Sequence, residues 1–437
     1  MDDLLFARSQ MGMSLAFHII FAAVGIGMPL LMVIAESLHR RTGLPVYREL
    51  ARRWARGTAI LFAIGAVSGT VLSFELGLLW PGFMAYAGGI IGMPFSLEGF
   101  AFFTEAIFLG LYLYGRDRLR PGPHLACGVM VAVSGMLSGV FVVTANAWMN
   151  APAGFEIVAG RPVNIDPWAA MLNAAALQQV LHMTLAAYVA TGFAVAAVHA
   201  FFLLRDRTRS FHRRALGIAL GLAAVTIPLQ LASGDFSAKW VAENQPAKFA
   251  AMEGHYRTEP AAPLVIGGIP NDSLRTTRYA LRIPRMLSFL AHDDFETPVT
   301  GLEAIPRDEW PNTKIVHWSF DLMVFSGMAM LFVALWAAVA WFRHRRLPDH
   351  PWLLKALVAC GPLGFIAIEA GWFVTEVGRQ PWIIYGVMRT EDAVTPMPWL
   401  VVPFTTFTLV YLVLSVIVVV ALRRQFLEPD LQATHAD

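Results

Sequence analysis

The sequence predicts an all-α fold: a polytopic membrane bundle of about nine transmembrane helices, with the N-terminus outside and the C-terminus in the cytoplasm. Three observations carry this. Of 437 residues, 57% are hydrophobic and only 15% charged, and the mean hydropathy is +0.56, where soluble domains carry about a quarter charged residues. About nine stretches reach the roughly 20 apolar residues that cross a bilayer core of about 30 Å. The arginines crowd alternate connections.

The spans are expected near 12–35, 55–79, 95–115, 125–147, 176–204, 216–233, 314–342, 352–375 and 398–422. The first is expected to be a retained helix and not a signal peptide, because its leading MDDLLFARSQ carries two aspartates and no small-x-small cleavage site follows. Cys127 and Cys360 both fall in or beside spans, which argues against a disulfide framework or a cysteine metal site. The whole chain reads as one membrane domain, 1–437.

Arg40, Arg41, Arg48, Arg52, Arg53 and Arg56 fill the first connection, and Arg116, Arg118 and Arg120 the third. The fifth holds Arg205, Arg207, Arg209, Arg213 and Arg214, the seventh Arg343, Arg345 and Arg346, and the tail Arg423 and Arg424. The loop expected at 81–94 has none, and the next holds only Arg161. The positive-inside rule then sets the orientation and requires an odd number of spans. A long connection, 234–312, lies on the outer face, and loops of that length are usually functional or disordered.

Ionisable and metal-ligating side chains inside these spans are costly and face a bundle interior or a cofactor. With this topology His18, Glu98, His182, Met323 and Glu376, from five helices, all lie towards the outer level. Glu105 is seven residues beyond Glu98, about 10 Å deeper on nearly the same face. His and Met are axial haem ligands, and buried carboxylates relay protons. Each also has a plainer role: the histidines as hydrogen-bonded packing, Met323 as core filler, and Glu98, Glu105, Glu369 and Glu376 as ion-pair partners or a transporter's proton path. His317 precedes Met323 by about 240° of helix, so the two cannot face one haem.

Motifs in order along the chain resemble cytochrome bd-type quinol oxidase subunit I. FHIIFAAVGIGM (17–28) is similar to that family's first-helix histidine motif, LEGFAFFTEAIFLGLYLYGRDRL to its paired-glutamate helix, and TANAWMN (144–150) to the end of its fourth helix. QQVLHMTLAAYVATG holds His182, FDLMV holds Met323, and IEAGWFVTEVGRQPW (368–382) holds Trp372, Glu376 and Arg379. The resemblance implies three haems: a low-spin haem b held by His182 and Met323, a high-spin haem b, and a haem d or third haem b. It makes His18 and Glu376 the iron ligands of the latter two, and places Trp372 and Arg379 beside the cofactors. It puts Glu98 at the oxygen site and Glu105 on a proton route, with Ser134 and Ser138 as further candidates along it. QPAKFAAMEGHYRTEP resembles a short quinol-binding loop with Lys248 and Glu253 at the matching positions.

The implied activity is oxidation of quinol at the outer face and reduction of O2 to water with protons from the cytoplasm, in the inner membrane of a bacterium. A subunit II and a small single-span subunit are the implied partners, and no nucleic acid is expected. The alternatives are a divergent haem b protein with another electron acceptor, a haem subunit that only passes electrons on, and a proton-coupled transporter. Three departures stand out. The two glutamates are seven apart where the usual family pattern has eight, which rotates one by about 100° unless a bulge compensates. Asp321 stands where an Arg is common, which leaves Arg379 as the expected propionate partner. His317 is not expected at its position.

Overall fold

The computed structural model describes residues 3–345 and 349–427, so Arg346 lies outside the described residues. Nine candidate spans are found among them. They are α1 (Asp3–Thr42), α2 (Pro45–Leu79), α3 (Pro81–Tyr114), α4 (Pro121–Asn150), α6 (Ala176–Arg205), α7 (Ser210–Asn244), α10 (Thr313–His344), the broken pair α11 (Pro351–Cys360) and α12 (Leu363–Gly378), and α13 (Val401–Leu422). Short helices α5 (Pro167–Met171), α8 (Pro246–Met252) and α9 (Met286–His292) lie in connections. Pro362, with no N–H to give, falls between α11 and α12, and a Cβ at Gly361 would stand 2.7 Å from that of Ala197 on α6.

Several helices run beyond the expected spans, α1 beginning at Asp3 and α2 at Pro45, and at two places the connections themselves change. Residues 81–94 are not a loop: α2 and α3 are separated only by Trp80, and PGFMAYAGGIIGMP begins α3. Pro81 sits at the first helical turn, where its missing N–H costs nothing, and a Cβ at Gly82 would lie 2.9 Å from the Asp392 carbonyl oxygen. Likewise α7 runs on to Asn244, so the long connection starts at 245 and not at 234. This last part of α7 is polar and stapled by Lys239 Nζ to Asp235 at 2.8 Å, so hydropathy stops where the helix does not.

The long connection is ordered. Strands β1 (Leu264–Ile266) and β4 (Leu281–Ile283) pair antiparallel, as do β2 (Ile269–Asn271) and β3 (Thr276–Arg278), in one continuous register. The ribbon breaks at Gly267 and Gly268, both at positive φ. There Asp321 of α10 accepts the Gly267 N–H at 3.0 Å, and the Gly267 carbonyl lies 3.0 Å from His317 Nε2. His317 Nδ1 meets the Met252 carbonyl at 2.7 Å, so this fully buried ring joins α10, α8 and the ribbon.

The strongest packing runs between α6 and α7, around Phe193, Leu216, Ile227 and Met330. The lateral faces are apolar and open, as at Phe100 (73% exposed) on α3 and Phe332 (68%) on α10, which suits lipid or another membrane subunit. At the end of the bundle carrying the ribbon, backbone bonds knit chain segments far apart in sequence: Tyr385 N–H to Met149, Thr395 N–H to Leu79, Gly82 N–H to Ala393.

Candidate functional site

A cavity of about 2270 Å³ opens inside the bundle, more than twice the upper end of the usual range for a single small-ligand pocket, about 1000 Å³. His18, His182, Met323 and Glu376 all line it. So do Glu98, Glu105, Trp372 and Arg379, and so do Lys248 and Glu253 from the connection. Side chains spread over more than 350 positions thus face one interior space. His317 does not line it; its ring is spent on the ribbon.

The two histidines are seated alike. On α2, Ser68 Oγ donates to the carbonyls of Ile64 and Gly65 (3.0 and 3.1 Å) and stands 2.9 Å from His18 Nδ1. With the serine proton given to a carbonyl, its oxygen is placed to accept from Nδ1, the tautomer that would leave the Nε2 lone pair for a metal. On α7, Ser233 Oγ donates to the Gln230 carbonyl at 2.8 Å and lies 3.0 Å from His182 Nδ1, the same arrangement as at His18. A glycine follows each serine: a Cβ at Gly69 would stand 3.0 Å from His18 Cε1, and one at Gly234 would stand 3.4 Å from His182 Cε1. The Gln230 amide lies 3.1 Å from His182 Nε2, and its buried Oε1 has no partner. A metal at Nε2 would have to displace this amide.

Met323 is seated against a glycine too: a Cβ at Gly371 of α12 would stand 2.9 Å from its sulfur. At the end of α12, Glu376 Oε1 accepts from Asn146 Nδ2 at 2.6 Å, and Oε2 pairs with Arg379. Arg379 is buried, and its Nε and Nη1 have no partner, so two guanidinium donors remain for an anionic group. These features fit haem: imidazoles with a free Nε2, a thioether, a carboxylate, and an unsatisfied guanidinium at the cavity wall.

On α3 the helix is regular through both glutamates, with no bulge between them. Ser138 of α4 donates to Glu98 at 3.2 Å. Glu105 packs against the gap left by Gly135, where a Cβ would stand 3.1 Å from its carboxyl carbon. Seven-residue spacing thus keeps both acids on the cavity face, whereas Ser134 spends its hydroxyl on the Met130 carbonyl and lies off the cavity.

Lys248, in α8, is buried with its stem along Gly378 and its amine 2.7 Å from Asn150 Oδ1. Burial, and then the charge of Arg379, lower its pKa to about 7, against the pull of Glu376. Burial and the charge of Asp321 raise that of Glu253 to about 8. Asp321 also lines the cavity, held by the Gly267 N–H. Sequence reasoning passed over Ser68, Ser233, Gln230, Asn146 and Asn150. The available signal was the Ser-Gly pair inside an apolar span: four of the five (68–69, 134–135, 138–139 and 233–234) lie beside a polar residue expected in the site, and the fifth, 326–327, does not.

Apolar spans closed around an interior cavity lined by His, Met and Glu define a multi-pass membrane protein with a site for porphyrin-sized groups. The chain belongs to the cytochrome bd terminal oxidase subunit I family, whose model matches residues 6–429. It is 39% identical to the putative cytochrome bd menaquinol oxidase subunit I of Bacillus subtilis over 98% of this chain and 97% of that protein. It is 32% identical to the cytochrome bd-II ubiquinol oxidase subunit 1 of Escherichia coli, over 90% of each chain. The bd oxidase structure from Geobacillus thermodenitrificans superposes with a TM-score of 0.92 at 41% identity, covering 97% of this chain and 98% of that one. Membership implies haem as the cofactor class and a subunit II as partner.

Proposed function

We propose that this chain is the haem-bearing catalytic subunit of a bacterial inner-membrane quinol oxidase, taking electrons from quinol at its outer face and delivering them to O2. The observation that carries this is the single cavity shared by the four candidate iron ligands and by Lys248 and Glu253. His182 and Met323 would hold a low-spin haem b, and His18 and Glu376 the iron of a high-spin haem b and of a haem d or third haem b. When bound, these groups supply one-electron carriage and the iron at which O2 is reduced.

The chain's own residues do the rest. Lys248 and Glu253 offer a quinol a hydrogen-bond donor and a proton acceptor whose pKa values, about 7 and about 8, lie near the working pH. Arg379 keeps two buried donors for a propionate. Trp372 fills the wall between Glu376 and the start of α1, against Gly12. Glu98, steadied by Ser138, and Glu105 hold protons for the oxygen chemistry, drawn from the arginine-rich side, which this reading makes the cytoplasm.

The test is a reduced-minus-oxidised spectrum of the purified complex, with and without carbon monoxide, together with quinol-dependent oxygen consumption. A chlorin band shifted by carbon monoxide beside low-spin b signals supports the full reading. Signals from b alone assign the third site to haem b, and absence of haem overturns the reading.

A further inference from the structure

The end of α4 carries two asparagines one turn apart, Asn146 and Asn150, which the reading above leaves without a role. Asn150 is 1% exposed. Its Oδ1 accepts from Lys248 Nζ at 2.7 Å, and its Nδ2 donates to the Asn146 carbonyl at 3.0 Å and lies 3.4 Å from the Asn146 side-chain oxygen. Gln245 Nε2 pins the same asparagine through its carbonyl at 3.0 Å. Asn146 Nδ2 in turn donates to Glu376 Oε1 at 2.6 Å, and Glu376 Oε2 pairs with Arg379. Lys248, Asn150, Asn146, Glu376 and Arg379 therefore form one chain of hydrogen bonds from the connection to the cavity wall. Lys248 (4% exposed) and Arg379 (2%) close it at both ends.

We propose that Asn146 and Asn150 are positioning residues that couple the quinol-contacting Lys248 to the carboxylate of Glu376, so that filling the quinol site changes the environment of the iron Glu376 would hold. The inference rests on the function proposed above. In a buried network a bond lost at one member must be remade by its neighbours, because water does not take its place. A quinol oxygen that draws the Lys248 amine leaves Asn150 Oδ1 with Gln245 Nε2 alone, 3.3 Å away, and the asparagine amide resettles on that donor. The adjustment passes through the Asn150 amide to Asn146, and so to the oxygen of Glu376 that Asn146 holds. A carboxylate bonded on both oxygens has its orientation and basicity set by those partners, as is general for residues supporting metal ligands.

The experiment uses the complete complex, titrated with a water-soluble short-chain quinone while the high-spin haem signals are followed by optical and EPR spectroscopy. The unmodified complex is expected to show a saturable shift of one high-spin signal. Asn150→Asp keeps an acceptor for Lys248 but loses the Nδ2 donor. It should bind the quinone with affinity within a few-fold and full haem content, yet reduce the shift by about tenfold. Asn146→Ala should move the same signal before any quinone is added. A shift retained in Asn150→Asp, or no shift in the unmodified complex, overturns the coupling. Glu376→Gln is run alongside: if it leaves every high-spin signal intact, the haem assignment itself has failed, whatever the asparagines do.

Discussion

Met323 and Gly371 are built to each other: a Cβ on Gly371 would stand 2.9 Å from the methionine sulfur, closer than real Cβ contacts come. Gly371 is a helical residue of α12 with ordinary backbone, so only its missing side chain matters. Gly371→Ala is expected to fold and to push Met323 aside. The low-spin haem spectrum should become partly high-spin and bind carbon monoxide. Retention of the unmodified spectrum would show that Met323 is not a ligand.

The matched seats of His18 and His182 make a paired prediction. Ser68→Ala and Ser233→Ala each remove the hydroxyl that meets an imidazole at Nδ1. Each should weaken retention of one haem by about 10- to 100-fold, and each a different one. Haem content and spectra after chelator or detergent challenge measure this. Loss of the same haem in both variants would contradict the assignment.

Glu253 and Lys248 give opposite pH slopes. Glu253, raised from 4.5 to about 8, keeps a proton in the folded chain that the unfolded chain has lost, so its contribution to stability falls as pH rises through that window. Lys248, lowered from 10.5 to about 7, has shed a proton that the unfolded chain keeps, so its contribution rises from pH 7 to 10.5. The two penalties coincide between about pH 7 and 8. Thermal unfolding of Glu253→Gln against the unmodified complex should show a growing advantage for the variant from pH 5 to 8. Quinol oxidation should rise with pH through about 8 as Glu253 becomes able to accept a proton. That limb should vanish in Glu253→Gln, with activity down about 100-fold.

His317 is predicted to be structural. Replacing it by Ala removes the ring that bridges the Met252 and Gly267 carbonyls, costs the hydrogen bond it donates and opens a cavity, at roughly 3 kcal/mol. The ribbon at 264–283 should become protease-sensitive and the KM for quinol should rise, while the haem spectrum stays as it was. A changed low-spin spectrum would return His317 to the list of ligands.

Much of this was legible in the chain. Hydropathy located all nine spans because lipid demands a long apolar run of any helix that crosses it. Polar residues at membrane depth marked the cavity because burying them elsewhere is costly, and His18, Glu98, His182, Met323 and Glu376 do face it. Hydropathy failed at the last turns of α7, which are polar and held by an ion pair; in the first turns of α3 the glycines and prolines read as a loop although Phe83, Ala87, Ile90 and Ile91 keep a helical apolar period. Tertiary structure alone decided what each polar side chain meets. The serines that meet the imidazoles, the glycines that admit Met323 and Glu105, and the asparagines between Lys248 and Glu376 lie 30 to 230 residues from their partners. Hydrogen bonds and contacts depend on separations of a few ångströms, and these are set only when the helices pack.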